Sequence, residues 1–543
     1  MTLALRDYQR DFFQRVRERY DSGVTRQLGV LATGLGKAVL FAALREQMNF
    51  QRKIMVLVHR EELANQAADK FQRWNPDLMV GVEKAERTSN PMDTFIVASV
   101  PTLGRRGSKR ILKFHREDFD CLVSDEAHHS TAPQWRNVLE YFGVLRPGES
   151  QMLSLGLTAT PNRSDGTGLR QNFDEIVFDM GIRSGIESGW LVDLRGIRIS
   201  TKTNLDKVHS RAGDFAEDEL ANAVNTVERN AIIVKEWMRV AYGLKTVVFT
   251  VDIQHALDLA ATFKKCSVEA EAVWGNDPDR ARKLRLHREN GLTVICNCAV
   301  LTEGYDDPGI KCIVLAKPTK SALLFTQMIG RGTRLDDGKE SCLIVDVVDA
   351  TSKHSLVTMP SLLGMPANLD LKGKSVIKAK EQFERVAKEF PTADLSNVLS
   401  LSKLEAIAED IALFQVHYPP EINKLSELGW RKSGDGYMLA VNRDLLTISK
   451  DLREEWQIRG QVNGTKIEYS AQNLPGAFNV ADALVPKDFV GLVKRDARWH
   501  GDRPTEKQLG LARILHLAVP PGATKGQVSA AIDQKRAMMR AKA

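Results

Sequence analysis

The chain has 543 residues, 43% hydrophobic and 27% charged, with 76 basic against 69 acidic side chains for a net charge of +7. That length is too great for one hydrophobic core and predicts about three or four domains of ordinary globular composition. No run of about 18 apolar residues occurs, which excludes a membrane-spanning helix, and the modest positive charge permits a polyanionic partner without requiring one.

Met1-Thr2-Leu3-Ala4-Leu5-Arg6 has no charged segment leading into an apolar run, so no secretory signal is expected. The six cysteines (Cys121, Cys266, Cys296, Cys298, Cys312, Cys342) are scattered in or beside apolar segments. Only Cys296 and Cys298 are close, and no second pair completes a zinc site. Buried thiols in a reducing compartment are the expectation, and with them a cytoplasmic location.

Leu28–Ala32 reads as a strand, followed by Thr33-Gly34-Leu35-Gly36-Lys37-Ala38 and a helix beginning near Val39. This is the layout of a phosphate-binding loop: glycines let backbone N–H groups approach phosphates, and the lysine reaches the outer oxygens. The strict pattern is missed at Leu31, where a glycine is expected, and at Ala38, where a hydroxyl is expected. Read alone, the stretch is also compatible with a strand-to-helix turn carrying an incidental lysine. Further apolar runs, Ile54–His59, Thr94–Ser99, Cys121–Asp125 and Met152–Thr158, alternate with amphipathic stretches such as Glu61–Trp74. Alternation of that kind predicts a parallel sheet covered by helices, with ligands at the carboxyl ends of the strands. Asp125-Glu126-Ala127-His128 stands at one such end. Asp125 is suited to holding Mg²⁺, Glu126 to orienting or deprotonating an attacking water, and His128 to relaying the state of the terminal phosphate.

In the next third, Thr246–Val251, Leu292–Cys298, Ile310–Ala316 and Cys342–Val347 again read as strands, with no second phosphate loop. A second sheet domain sharing the first one's nucleotide is expected. Gln327-Met328-Ile329-Gly330-Arg331-Gly332-Thr333-Arg334 places two arginines three residues apart, able to aim at phosphate oxygens across a cleft.

These strings in this order resemble the superfamily-two helicases. Asp125 to His128 matches their DEAH box, and Leu157-Thr158-Ala159-Thr160-Pro161 resembles motif III, which couples hydrolysis to lobe movement through Thr158 and Thr160. Leu5-Arg6-Asp7-Tyr8-Gln9 resembles the adenine-reading Q motif, implying base contacts by Arg6 and Gln9. Thr33, Gly34, Leu35, Gly36, Lys37 and Ala38 resemble motif I. Val58-His59-Arg60-Glu61-Glu62-Leu63 resembles motif Ia, and Ala98-Ser99-Val100-Pro101-Thr102-Leu103 resembles motif Ib. Thr250-Val251-Asp252 is similar to motif IV, and Leu301 to Pro308, with Thr302, Gly304 and Asp306, to motif V. Gln327, Arg331 and Arg334 match motif VI. The resemblance implies ATP and Mg²⁺ as cofactors, two tandem RecA-like domains, and catalytic roles for Lys37, Asp125, Glu126, Gln327, Arg331 and Arg334. It also implies nucleotide contacts by Gly304 and Asp306, and nucleic-acid contacts by His59, Arg60, Thr102, Thr250 and Thr302. The spelling is nearest to the branch of RadD-like, XPB-like and mitochondrial branch-migration helicases, although the RadD-like four-cysteine zinc site has no counterpart. Arg105, Arg106, Lys109 and Arg110 follow motif Ib as a basic cluster, read equally as a solvated loop.

The expected boundaries are residues 1–190 and 191–350 for the two RecA-like domains and 351–420 for a connector with helices at Glu381–Phe390 and Leu401–Phe414. A small accessory domain at 421–494 and a basic helical tail at 495–543 follow. The accessory domain reads as short strands (Tyr437–Val441, Leu445–Ser449, Glu455–Arg459, Lys466–Tyr469) between turn residues, whose Trp and Tyr side chains serve core packing or base stacking. In the tail, Thr505 starts one helix and Thr524 a second, forming either an accessory nucleic-acid clamp or a pair packed on the motor. The segment Thr201–Asp218 has no assigned place. The functional expectation is an ATP-dependent helicase or translocase on DNA, duplex, branched or R-loop, with an RNA helicase as the alternative and no membrane partner. Ala38, lacking the hydroxyl that would ligate Mg²⁺, leaves open a weakened motor, a nucleotide-gated clamp with little hydrolysis, or an engineered trap.

Overall fold

The computed structural model describes residues 4–542 apart from 60, 147, 160–166, 212, 303–304, 352, 390–394, 396–397, 403, 405–421, 434–435, 442–443, 452–453, 463, 516, 518 and 521. The chain divides into two compact units, Met1–Glu381 and Gln382–Ala543.

The first unit holds two parallel sheets. Strands β1 (Arg26–Leu31), β2 (Lys53–Val58), β3 (Val80–Glu83), β4 (Phe95–Ser99), β5 (Phe119–Asp125), β6 (Leu153–Thr158) and β7 (Glu175–Met180) form the first, ordered β3-β4-β2-β5-β6-β1-β7. All neighbours run parallel. Strand β1, held between β6 and β7, is buried along its whole length, as expected for a strand with helices on both faces. Register pairs Gly29 with Leu157 and Asp125 with Leu157, so the turn after β1 and the acidic end of β5 flank the end of β6. Helices α1 (Asp7–Asp21) and α2 (Lys37–Met48) lie on either side of the phosphate-loop turn in sequence.

The second sheet is built from β8 (Asp193–Asn204), then, beyond the two-stranded hairpin β9 (Ser210–Arg211) and β10 (Asp214–Phe215), β11 (Thr246–Phe249), β12 (Ala270–Val273), β13 (Val294–Asn297), β14 (Cys312–Leu315) and β15 (Ser341–Ala350). Its order is β12-β13-β11-β14-β15-β8, again all parallel. A core of Trp237, Phe263, Val248, Val314 and their neighbours fills the space between sheet and helices. In the two parallel sheets, four strands have no counterpart in the sequence reading: β3, β7, β8 and β12; the hairpin strands β9 and β10 have none either. β7 and β8 are edge strands whose apolar runs are interrupted by exposed charged residues, Asp179 in β7 and Arg195 and Lys202 in β8; β3 and β12 are four residues each. Within Thr201–Asp218, the hairpin is tied to the rest of the second lobe by Asp214, which accepts hydrogen bonds from the Lys320 N–H at 2.9 Å and from Thr319.

In the second unit, β16 (Arg431–Ser433), β17 (Gly436–Val441), β18 (Asp444–Lys450), β19 (Trp456–Val462) and β20 (Thr465–Ala471) form a sequential antiparallel meander. The helix Leu474–Ala483 covers it through Ala477, Phe478 and Ala481. Trp430 and Tyr437 are part of that core, Trp430 donating to Asp482 Oδ1 at 2.7 Å, so core packing rather than base stacking is their use. The helix expected at Glu381–Phe390 is Val376–Glu389; most of the one expected at Leu401–Phe414 lies outside the described residues. The tail contains helices Glu506–Ile514 and Lys525–Lys542, the first capped by Thr505. Four cysteines are buried and Cys298 is half-buried, but Cys266 is exposed, because it follows the helix Ile253–Lys265 as its C-cap instead of entering a strand.

One ion pair ties the second lobe's helices to its sheet. Arg229, on the helix Val227–Val240, donates from Nε and Nη2 to the two oxygens of Asp349 at 2.8 Å each and from Nη2 to the Ala316 carbonyl at 3.0 Å, with both side chains fully buried. Arg229→Ala would strand a buried carboxylate and is expected to cost about 3–5 kcal/mol of stability, measured by denaturant unfolding; a change below about 1 kcal/mol would contradict this role.

Candidate nucleotide site

The turn between β1 and α2 adopts its shape through two left-handed glycines, Gly34 at φ 96° and Gly36 at φ 74°. Tyr8 on α1 fixes it from outside, its hydroxyl donating to the Leu35 carbonyl at 2.5 Å. Gly36 is the N-cap of α2, and the N–H groups at the start of such a helix lack intrahelical acceptors and favour an anion. Lys37 and Ala38 both line the resulting cleft, whose volume is 390 Å³. Arg6 and Gln9 line it as well. The Gln9 carbonyl already accepts the Arg6 N–H at 3.0 Å, so its amide nitrogen is the part turned toward Gly36. The Arg6 guanidinium lies 5.1 Å from the centroid of the Trp190 ring, which also packs 5.4 Å from Tyr8.

At the end of β5, Glu126 sits at φ 49°, and its N–H is turned back onto Asp125 Oδ1 at 3.0 Å. The Glu126 carboxylate holds Lys37 Nζ at 2.8 Å. Burial and the adjacent Glu126 charge push the Asp125 carboxyl up to about 7, with Lys37 opposing them. His128 Nδ1 lies 3.2 Å from the Thr158 hydroxyl and 3.4 Å from Glu126 Oε2, which joins β5, β6 and the acidic pair. The His59 ring packs 4.5 Å from His129, itself 4.2 Å from His128.

The second lobe closes the cleft with Asp306, Arg331 and Arg334. Arg331 donates to the Tyr305 carbonyl at 3.1 Å, and Arg334 pairs with Asp306 at 3.1 Å. The Arg334 Nη1 is buried with no hydrogen-bond partner among the described residues, and burial lowers the guanidinium pKa. A buried cation with an unused donor is a place where an anion is welcome. Both arginines therefore depend on the segment Tyr305-Asp306-Asp307, which is anchored from behind. The Tyr305 hydroxyl donates to Asp307 at 3.1 Å and lies 3.0 Å from His287 Nδ1, while Lys245 pairs with Asp307 at 3.1 Å. Burial would raise the Asp307 carboxyl, but hydrogen bonds from His287 and Lys245 overcome it and hold it at about 2. The lobes meet at a seam where the Thr333 hydroxyl lies 3.2 Å from the Thr33 carbonyl, and a Cβ on Gly330 would stand 2.5 Å from the Thr33 Cβ.

Of the residues singled out in the sequence, the cleft thus gathers Arg6, Gln9, Thr33, Gly34, Gly36, Lys37, Ala38, Asp125, Glu126, Asp306, Arg331 and Arg334. Leu35 is buried behind it, and Gln327 is buried in the helix Ala322–Ile329 without lining it. Thr250 is buried, its hydroxyl donating to the Asn297 carbonyl at 3.0 Å, and Thr302 is buried with its hydroxyl 3.3 Å from the Ala299 carbonyl. Thr102 accepts the Ala85 N–H at 3.3 Å. Arg60, Thr160 and Gly304 lie outside the described residues. The sequence reading missed Trp190, which carries no motif, Lys70, which also lines the cleft, and the anchoring set His287, Lys245 and Asp307, which come from distant segments.

Because the Asp125 carboxyl is raised in the folded chain, the fold binds its proton more tightly than the unfolded chain does, and ionising it as pH rises from about 4 to 7 costs stability. Asp125→Asn is therefore expected to raise the melting temperature of the metal-free protein at pH 8, with the difference from the unsubstituted chain shrinking by pH 5. A difference independent of pH would contradict the assignment.

The chain is similar to several known proteins. Residues 2–163 match the family model "Type III restriction enzyme, res subunit". The Saccharomyces cerevisiae protein named "Putative ATP-dependent helicase IRC3" is 36% identical over 379 residues, 67% of this chain and 54% of that one, so the chain spans about half its length. "Putative mitochondrial ATP-dependent helicase irc3" of Schizosaccharomyces pombe is 32% identical over 461 residues, covering 83% of this chain and 75% of the relative. Among solved structures, the ATP-dependent Type ISP restriction-modification enzyme LlaBIII bound to DNA superposes with a TM-score of 0.50 at 17% identity, covering 74% of this chain and 31% of that one, which bears on the fold alone. The tandem parallel sheets, the ordered motifs and the relatedness over most of both chains establish that this chain belongs to the superfamily-two helicases, as a relative of the Irc3-type ATP-dependent helicases.

Proposed function

We propose that the chain hydrolyses ATP to translocate along, unwind or remodel DNA, including branched and R-loop substrates of the kind met in repair and recombination. The observation carrying this reading is the convergence of Lys37, Asp125 and Glu126 from one lobe with Arg331 and Arg334 from the other on a single cleft, where Arg334 retains a buried, unused donor. In this reading the triphosphate draws Lys37 away from Glu126, freeing that carboxylate to orient the attacking water. Arg331 and Arg334 place positive charge where the transition state gains negative charge. The fit to Mg²⁺ rests on Asp125, a carboxyl raised by burial and by the Glu126 charge, while the Ala38 side chain offers no oxygen. When bound, the ion would neutralise phosphate charge and align the oxygens. Gln327 is read as supporting the arginines from within its helix, and His128 with Thr158 as reporting the state of the phosphate end toward β6.

For nucleic acid, the exposed Arg105, Arg106 and Lys109 and the nearby Thr102 are the candidates on the first lobe. Arg110 is instead engaged by the buried Glu83. Thr250 and Thr302, with hydroxyls bonded inward, would contribute backbone groups only. DNA is preferred over RNA because the first third of the chain matches a restriction-enzyme subunit. Ala38 favours one second reading, a nucleotide-gated clamp that turns over slowly.

The two readings separate in a steady-state ATPase assay. Ala38→Thr is expected to raise DNA-stimulated turnover about tenfold, some 1.4 kcal/mol of barrier; no gain would count against a motor limited by its metal ligands. In the same assay duplex and forked DNA are expected to stimulate the unsubstituted chain more than RNA of equal length, and stimulation by RNA alone would reassign the substrate.

A further inference from the structure

Charge is distributed very unevenly along this chain. Residues 495–543 hold ten lysines and arginines against four acidic residues, a net of +6, so the preceding 494 residues hold only +1 of the total of +7. Elsewhere, exposed arginines are largely neutralised by neighbours on their own helices: Arg10 with Asp7, Arg15 with Asp11, Arg73 with Asp69 and Arg183 with Glu187. In the tail, Arg498, Arg503, Lys507 and Arg513 are exposed, and among the described residues none of them has a carboxylate partner. One of the tail's four acids is withdrawn from the surface: Asp533 is largely buried and faces Arg431 at 3.8 Å, and burial raises its carboxyl to about 6.

The charges are displayed on a folded element. Ala512, Leu517, Val528, Ala531 and Ile532 form a small core between the two tail helices. Thr505 and Gln508 cap the first helix reciprocally, and the Lys525 N–H donates to the Asp502 carbonyl at 2.7 Å. Gly526 allows the second helix to start against His500, because a Cβ there would stand 2.8 Å from the His500 Cβ. The aromatic group that could stack on a base is occupied: the Trp499 ring lies 5.7 Å from Lys525 Nζ and 4.2 Å from the His500 ring, and its N–H donates to the Leu492 carbonyl at 2.9 Å. Unpaired cations on an ordered scaffold, without a free stacking platform among the described residues of the tail, suit the phosphate backbone of a duplex rather than splayed single-stranded bases.

We propose that the helix pair Glu506–Ile514 and Lys525–Lys542, with the segment before it, is a second nucleic-acid surface that binds the duplex backbone without sequence preference and independently of nucleotide. This rests on the motor reading only in taking nucleic acid as the polyanion. The test is equilibrium binding of the full-length chain to a fluorescent 30-base-pair duplex from 50 to 300 mM salt without nucleotide. The comparison is between the unsubstituted chain, the fourfold Arg498→Gln, Arg503→Gln, Lys507→Gln, Arg513→Gln variant, and a fourfold variant keeping charge (Arg498→Lys, Arg503→Lys, Lys507→Arg, Arg513→Lys). Each lost phosphate contact should reduce the slope of log affinity against log salt by about 0.9, so the glutamine variant should lose between about one and four units. The charge-keeping variant should lose none. Hydrolysis without nucleic acid should be equal in all three. An unchanged slope in the glutamine variant overturns the proposal, as does an equal loss in the charge-keeping variant. Binding lost only toward single strands would overturn the assignment to duplex. Failure of DNA to stimulate hydrolysis by the unsubstituted chain would instead sink the motor reading and leave the tail result standing.

Discussion

The charge arrangement of the cleft is set by one contact, the 2.8 Å ion pair between Lys37 and Glu126. Neither group can act on a triphosphate while they satisfy each other, and both are too buried for water to do so cheaply. The pair keeps the floor of the cleft close to neutral, yet leaves Asp125 raised beside it and Arg334 with an unused donor opposite. A dense anion entering from solvent satisfies the unused Arg334 donor and draws on Lys37, while Asp125, raised by burial and by Glu126, calls for positive charge beside it. Lys37 and Arg334 are the electrostatic basis for reading the cleft as a nucleotide site.

The second lobe's share of the site depends on a backbone segment held by its own side chains. Arg331 hangs on the Tyr305 carbonyl and Arg334 on Asp306, and the flanking Tyr305 and Asp307 side chains are clamped by His287 and Lys245. Arginine placement is therefore a property of Lys245, just before β11, and of the helix Arg280–Arg288 as much as of the turn after the helix Ala322–Ile329, where Arg331 sits. The close approach of Gly330 to Thr33 lets the lobes touch at this seam, and movement there would shift both arginines relative to Lys37.

What was legible in the sequence was chemistry packed into short strings. The glycines around Lys37, the acidic pair after β5 and the two arginines three apart each announce themselves locally, and the fold brings them together. Contacts assembled from distant segments were not legible. Trp190 beneath Arg6, and the His287–Tyr305–Asp307–Lys245 set, have no spacing to betray them. Hydroxyl direction was equally hidden: Thr250 looks suited to a phosphate, yet its hydroxyl is spent on the Asn297 carbonyl. Among strands, the buried central ones read clearly from their apolar runs, whereas β7 and β8 were obscured because an edge strand shows charged side chains to solvent. The tail's positive balance could be counted from its residues, but that Arg498, Arg503, Lys507 and Arg513 lack partners while Asp533 is buried required coordinates.

The central claim is that groups from two lobes act on one triphosphate. A structure of the chain with ADP and beryllium fluoride tests it most directly. The account predicts Lys37 released from Glu126 onto the β-phosphate and the fluoride, with Arg331 and Arg334 within about 3 Å of the fluoride. Arginines still bound to Tyr305 and Asp306, out of reach of a nucleotide seated on the Gly34–Lys37 loop, would contradict it.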